Sequence, residues 1–116
     1  MNHAVSLLRE VAPQIEPEVQ KQLGGLFGGI VRSYLPQAWV FETDEGTATL
    51  LVDKTGTASV IDGAAEHPDV TIKVPYAPLV KALKTRTRIS PDAVTVSPHT
   101  AKGRTAFDYL RGRVGL

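Results

Sequence analysis

The 116-residue chain contains no cysteine, and this single absence removes disulfides, thiolate nucleophiles, iron–sulfur clusters and cysteine-ligated zinc from consideration. Long apolar runs are also missing. The longest weakly polar stretch, Leu23 to Val31, is nine residues and carries four glycines, against the roughly 20 apolar residues needed to span a bilayer. Met1-Asn2-His3-Ala4 leads straight into a charged amphipathic stretch rather than a basic start and apolar core, so secretion is not expected. Aromatics are few: Phe27, Tyr34, Trp39, Phe41, Tyr76, Phe107 and Tyr109. Catalytic signatures are lacking as well. There is no Gly-x-Ser-x-Gly elbow, and His3, His67 and His99 are too dispersed for a His-x-x-x-His metal pair or a Ser-His-Asp order. Glu42, Asp44 and Glu45 belong to an exposed hairpin end, where neighbours on a strand point to opposite faces and do not converge. The expectation is a protein that is not an enzyme and needs no cofactor or metal.

What is present has the balance of a folded domain, with 42% apolar and 22% charged residues. Two independent cores would each be too small at this length, so one domain over residues 1–116 is expected. The net charge of +1 conceals a division. Residues 1–68 carry four Lys or Arg against nine acids, and residues 69–116 carry nine against three. Such asymmetry can steer an anionic partner toward the second half, and it fits a lipid head group, a membrane surface, a protein or a nucleic acid equally well. Nucleic acid is not expected, because no aromatic-studded basic face or groove-reading helix is evident.

Periodicity divides the chain into N-terminal helices (1–35), strands (38–74) and a closing helix–strand–helix (75–116). Val5, Leu7, Leu8, Val11 and Ile15 recur at helical spacing, with Pro13 expected to interrupt the run. A second helix is expected from Pro17, with Val19, Leu23, Leu26, Phe27, Ile30 and Tyr34 as its stripe and Pro36 as its stop. Gly24, Gly25, Gly28 and Gly29 inside it each cost about 1 kcal/mol of helix propensity. Either a smooth, closely packed face or a pliable helix that lifts to admit a ligand would offset that cost.

From Trp39 the period becomes two. Trp39, Phe41 and Thr43 form one inward set, Ala48, Leu50 and Val52 the next, and Ala58 and Val60 a third, separated by the turns Asp44-Glu45-Gly46 and Asp53-Lys54-Thr55-Gly56. Asp69 to Val74 alternates as a fourth strand, completing an antiparallel meander. Tyr76, Leu79, Val80 and Leu83 return to helical spacing, Ala93 to Val96 supplies a fifth strand, and Thr100 to Leu110 a closing helix presenting Ala106, Phe107 and Leu110.

The ordered series of Asp53-Lys54-Thr55-Gly56, Thr57-Ala58-Ser59-Val60-Ile61, His67-Pro68-Asp69-Val70-Thr71-Ile72-Lys73-Val74 and Tyr76-Ala77-Pro78-Leu79-Val80-Lys81-Ala82-Leu83 resembles the sterol carrier protein type 2 family. With Trp39 to Val52 the resemblance covers about half the chain. It implies an α+β fold, a five-stranded, mainly antiparallel sheet with helices covering one face, and an apolar tunnel between them. It further implies non-enzymatic binding or transfer of a fatty acid, acyl-CoA, sterol or isoprenoid. An alternative within the family is a structural or regulatory module with a filled cavity, acting as a homodimer or with a protein of a lipid or quinone pathway.

The residues suited to line an apolar pocket are Leu23, Leu26, Phe27 and Ile30 from the second helix, Trp39, Phe41, Leu50, Val52, Val60 and Ile72 from the sheet, and Leu83, Phe107 and Leu110 from the closing helices. Ordinary core packing requires the same apolar face, and only cavity volume separates the two. Lys84, Arg86 and Arg88 stand on one side of an extended segment, suited to a phosphate or carboxylate head group at the pocket mouth. The terminal Val114-Gly115-Leu116 is not a Ser-Lys-Leu address, and the expected location is cytoplasmic, with transient contact at a membrane surface.

Overall fold

The computed structural model describes residues 2–23, 33–85, 87 and 89–114. Among the described residues, the helices α1 (His3–Leu23), α2 (Tyr76–Thr85) and α3 (Ala101–Val114) accompany five strands, β1 (Gln37–Thr43), β2 (Gly46–Val52), β3 (Ala58–Asp62), β4 (Val70–Lys73) and β5 (Thr95–Pro98). The strands form one mixed sheet in the order β3-β2-β1-β4-β5. The fold is α+β.

The alternation that predicts the strands also fixes which residues face inward. Trp39 lies opposite Leu50 and beside Val70, and Phe41 lies opposite Ala48 and beside Ile72, so these side chains share a face. That face is the core. It packs against Ala4, Val5, Leu7, Leu8, Val11 and Ala12 of α1, Leu79 and Ala82 of α2, Ile89, and Phe107 of α3.

The helix α1 runs straight through Pro13 and Pro17, contrary to the expected break and the expected second start. Both prolines are exposed, and the carbonyls that lose a partner, those of Arg9 and Pro13, belong to exposed residues that reach water. A proline costs about 3 kcal/mol inside a helix, whereas burying each large apolar side chain contributes about 1.5–3 kcal/mol. Burial of Leu7, Leu8, Val11 and Ala12 before Pro13, with Ile15 packed on the core and Glu16 bonded to β3 after it, offsets that cost. Most of the remaining stripe predicted for the second helix, including Leu26, Phe27, Ile30 and the four glycines, lies outside the described residues.

The expected meander holds for β1, β2 and β3 and then breaks. Strand β4 pairs with β1, in parallel, rather than with β3. The connection from Gly63 to Asp69 must therefore pass β2 and β1, and it does so on the outer face, where Thr49 Oγ1 donates to the Gly63 carbonyl (2.8 Å) and accepts from the Ala65 N–H (3.0 Å). Thr49 and its cross-strand neighbour Val40 are buried on this side. Strand β5 begins two residues later than predicted, because Pro91–Ala93 close a 3-10 turn with the Ala93 N–H on the Ser90 carbonyl.

Side chains from the turns fasten the helix starts. Asn2 Oδ1 accepts from the Val5 N–H (3.2 Å) at the start of α1, while its Nδ2 donates to Thr47 O and Asp62 Oδ1. Asp44 Oδ1 accepts from the Tyr76 N–H (2.7 Å) at the start of α2. Glu16 Oε1 of α1 accepts the Ala58 N–H on β3 (2.7 Å).

Candidate functional site

The inward face of the sheet and the helices over it form the candidate site. Of the predicted lining residues, Trp39, Phe41, Leu50, Val52, Ile72 and Phe107 are buried in one apolar cluster, with Val60 and Leu83 partly buried against it. The side chains of Leu23 and Leu110, and Leu26, Phe27 and Ile30 entirely, lie outside the described residues. Among the head-group candidates Lys84 pairs with Glu10 of α1 at 3.1 Å, both side chains largely exposed. Such a pair contributes little, roughly 0–1 kcal/mol, and leaves the ammonium within reach of an anion. Arg86 and Arg88 lie outside the described residues.

At one end of this face stands a polar group of residues that periodicity missed. Asp69, just before β4, is buried. Its Oδ2 accepts from the Ala38 N–H (2.9 Å), its Oδ1 accepts from Thr100 Oγ1 (2.8 Å), and Lys102 Nζ lies 3.7 Å from Oδ1. Thr100 is also the N-cap of α3, its hydroxyl accepting from the Gly103 N–H (3.0 Å). Gln37 is buried next to it. Its Nε2 donates to Tyr34 O (2.7 Å) and Lys102 O (3.1 Å), and its Oε1 accepts from the Trp39 indole N–H (2.8 Å). The Trp39 ring meets Phe107 at 5.7 Å between centroids, tilted by 48°. The legible signals for this assembly were Thr100 three residues before Gly103, a cap pattern, and the acid placed ahead of an apolar strand.

An open depression of about 470 Å³ lies elsewhere, lined by Glu42, Thr43, Asp44, Lys73, Val74 and Pro75. His3 approaches Glu45 at 3.8 Å and His99 Nε2 shares a hydrogen bond with Thr71 Oγ1 at 2.8 Å. Among the described residues no group of three or more His, Asp or Glu is placed to hold a metal, and no helix is long and apolar enough to cross a membrane. Asp53, in the β2–β3 turn, has its carboxyl held below the usual carboxylate range, chiefly by the Thr55 hydroxyl and then by the Thr57 N–H.

A helix-covered, five-stranded sheet with this order defines the class: the chain has the fold of sterol carrier protein 2-like domains. The particular likenesses are to solved structures. One is a "UbiJ-SCP2 Ubiquinone synthesis protein", 16% identical at a TM-score of 0.52, covering 91% of this chain and 92% of that one. A second is the conserved hypothetical protein TT1886, "possibly sterol carrier protein", of Thermus thermophilus, 13% identical at a TM-score of 0.52, covering 92% and 78%. A third is the sterol carrier protein domain 2 of Helicoverpa armigera, 11% identical at a TM-score of 0.50, covering 89% and 87%. The inverting sec-alkylsulfatase Pisa1 of a Pseudomonas species also matches, at 15% identity and a TM-score of 0.50, over 65% of this chain, which spans only 13% of the sulfatase. No family model and no curated protein matches the sequence.

Proposed function

We propose that the chain binds a lipid-like apolar ligand between its sheet and helices, without catalysing its conversion. The observation that carries this reading is the inward face itself. It presents Phe41, Leu50, Val52, Val60 and Ile72 to the helices as one apolar surface, on a fold shared over most of its length with sterol carrier structures. A tunnel there would take an acyl chain, a sterol or an isoprenoid, and Lys84 with Arg86 and Arg88 would meet an anionic head group at its mouth.

Delipidated protein gains thermal stability when such a ligand is added, since a ligand bound only by the folded state stabilises it by about 2.7 kcal/mol at a hundred times its dissociation constant. Native mass spectrometry of gently purified protein, followed by organic extraction, identifies the class. An empty protein, indifferent to fatty acids, acyl-CoA, sterols and quinones, refutes the reading.

A second reading is supported by the match to a ubiquinone synthesis protein. Here the interior is filled by side chains and the domain docks on a second copy or a pathway protein. It predicts concentration-dependent oligomers in light scattering, and a strictly monomeric protein carrying a stoichiometric lipid rules it out.

A further inference from the structure

We propose that Trp39 and Phe107, locked by Gln37, are the closed tail end of the apolar site, so that a single-chain acyl ligand lies with its methyl terminus toward Trp39 and its polar head away from it. This deepens the lipid-binding reading and rests on it.

Gln37 begins β1 on the inward face, opposite Val52, where an apolar residue would satisfy packing. An amide is buried there instead, and each of its polar atoms is engaged: Oε1 by the Trp39 indole N–H, and Nε2 by the carbonyls of Tyr34 and Lys102. A buried polar group is costly unless paired, so this bonding holds both partners in place. The indole cannot turn without stranding its own N–H and the Gln37 oxygen. Its ring is thereby fixed against Phe107, and the first turn of α3 is tied to the same amide through Lys102 O. Trp39 is a wall and not a gate.

The same end offers a head group no ready partner. No donor of Gln37 or Trp39 is left to receive one, and the Asp69 carboxylate is bonded to the N–H of Ala38, the residue between them. An anion placed beside Trp39 would meet a carboxylate whose charge is already balanced by Lys102. Lys102 offers that anion little, because its Nζ already donates to Pro36 O (2.6 Å) and sits near Asp69. An aliphatic terminus needs none of these bonds and packs on the two rings.

Trp39 is the chain's single tryptophan, so its fluorescence reports on this wall alone. Delipidated full-length protein is titrated with stearate carrying a nitroxide near the methyl end, and separately with stearate carrying it beside the carboxylate. Electron spin resonance gives the immobilised, bound fraction of each. At equal occupancy the tail-labelled acid is expected to cause a several-fold greater loss of Trp39 fluorescence. Equal quenching, or stronger quenching by the head-labelled acid, overturns the orientation while leaving lipid binding intact. Absence of any immobilised signal overturns this inference, since no single-chain acyl ligand then enters the site, while the binding reading still stands or falls on acyl-CoA, sterols and quinones. Gln37 as the positioning residue is tested by Gln37→Leu, which is expected to bring the quenching ratio toward one and to speed solvent exchange of the indole N–H. An unchanged ratio and an unchanged exchange rate refute the role of Gln37. The wild-type ratio decides the orientation even if the variant fails to fold.

Discussion

Replacing Gly103 by alanine sets two effects of opposite sign against each other. Gly103 lies in the first turn of α3, and by helix propensity alone the change stabilises by about 0.8–1 kcal/mol. The geometry opposes this. A Cβ on Gly103 would meet the Asp69 carbonyl oxygen in hard contact, the carbonyl carbon at 2.8 Å and the Asp69 Cβ at 3.0 Å. These atoms are backbone or rooted in it, and none can rotate aside. Overpacking of this kind costs about 1–3 kcal/mol. Relief by shifting α3 would stretch the Gly103–Thr100 and Thr100–Asp69 hydrogen bonds, each worth about 0.5–1.5 kcal/mol. The net expectation is a loss of about 1–3 kcal/mol, or a fall in Tm of about 4–12 °C for a domain of this size. Urea unfolding followed by circular dichroism should show the midpoint falling by about 1 M with an unchanged slope. Gly63→Ala is the control, since it meets nothing within 4 Å but has a φ of +87°. It should cost about 1–2 kcal/mol through backbone strain alone. A Gly103→Ala protein as stable as the parent, or more so, refutes the close approach of α3 to Asp69.

Trp39→Phe leaves the buried Gln37 Oε1 without its donor and should destabilise by about 1–3 kcal/mol from that atom alone, before any void is counted, as read by urea unfolding. A loss well under 1 kcal/mol would show that the amide reorients freely. Asp53 provides a pH test. Its folded-state carboxyl titrates below its unfolded one, so its contribution to stability is present above the unfolded pKa and lost as pH falls through the folded pKa. Thr55→Val removes the leading cause and should move the Asp53 carboxyl titration, followed by carbon NMR, upward toward the ordinary carboxylate value. An unmoved titration refutes the hydroxyl's role.

The strands were legible because large apolar residues recur at every second position, as Trp39 and Phe41, Leu50 and Val52, and Val70 and Ile72 do, even though Val40 and Thr49 on the other face are buried too. Their order was not legible. Alternation fixes which face a residue takes but says nothing of which neighbour it pairs with. Thus the return of β4 to β1 depends on a crossing loop held by Thr49, a residue no period marks. The uninterrupted α1 was hidden for a different reason: a proline's effect depends on whether the stranded carbonyl is wet, and that is known only once the helix is docked. The apolar lining of the candidate site was read directly from the pattern, while its polar end was not. Gln37, Asp69 and the Thr100–Lys102 segment are far apart along the chain and meet only because β1, β4 and α3 begin at the same end of the molecule.

Among the described residues β3 and β5 are the outer strands of the sheet, and each margin is spoiled as a template. In an antiparallel pair alternate residues turn their N–H groups away from the partner. On β3 one such group, the Ala58 N–H, is occupied by Glu16. On β5 the His99 N–H faces the Asp69 carbonyl, so Val96 and Pro98 are the residues turned outward, and Pro98 has no hydrogen to give. A strand arriving from another copy would find broken rows on either side. Edge-to-edge extension of the sheet by another copy is disfavoured at these two positions, one filled by a glutamate and one by a proline.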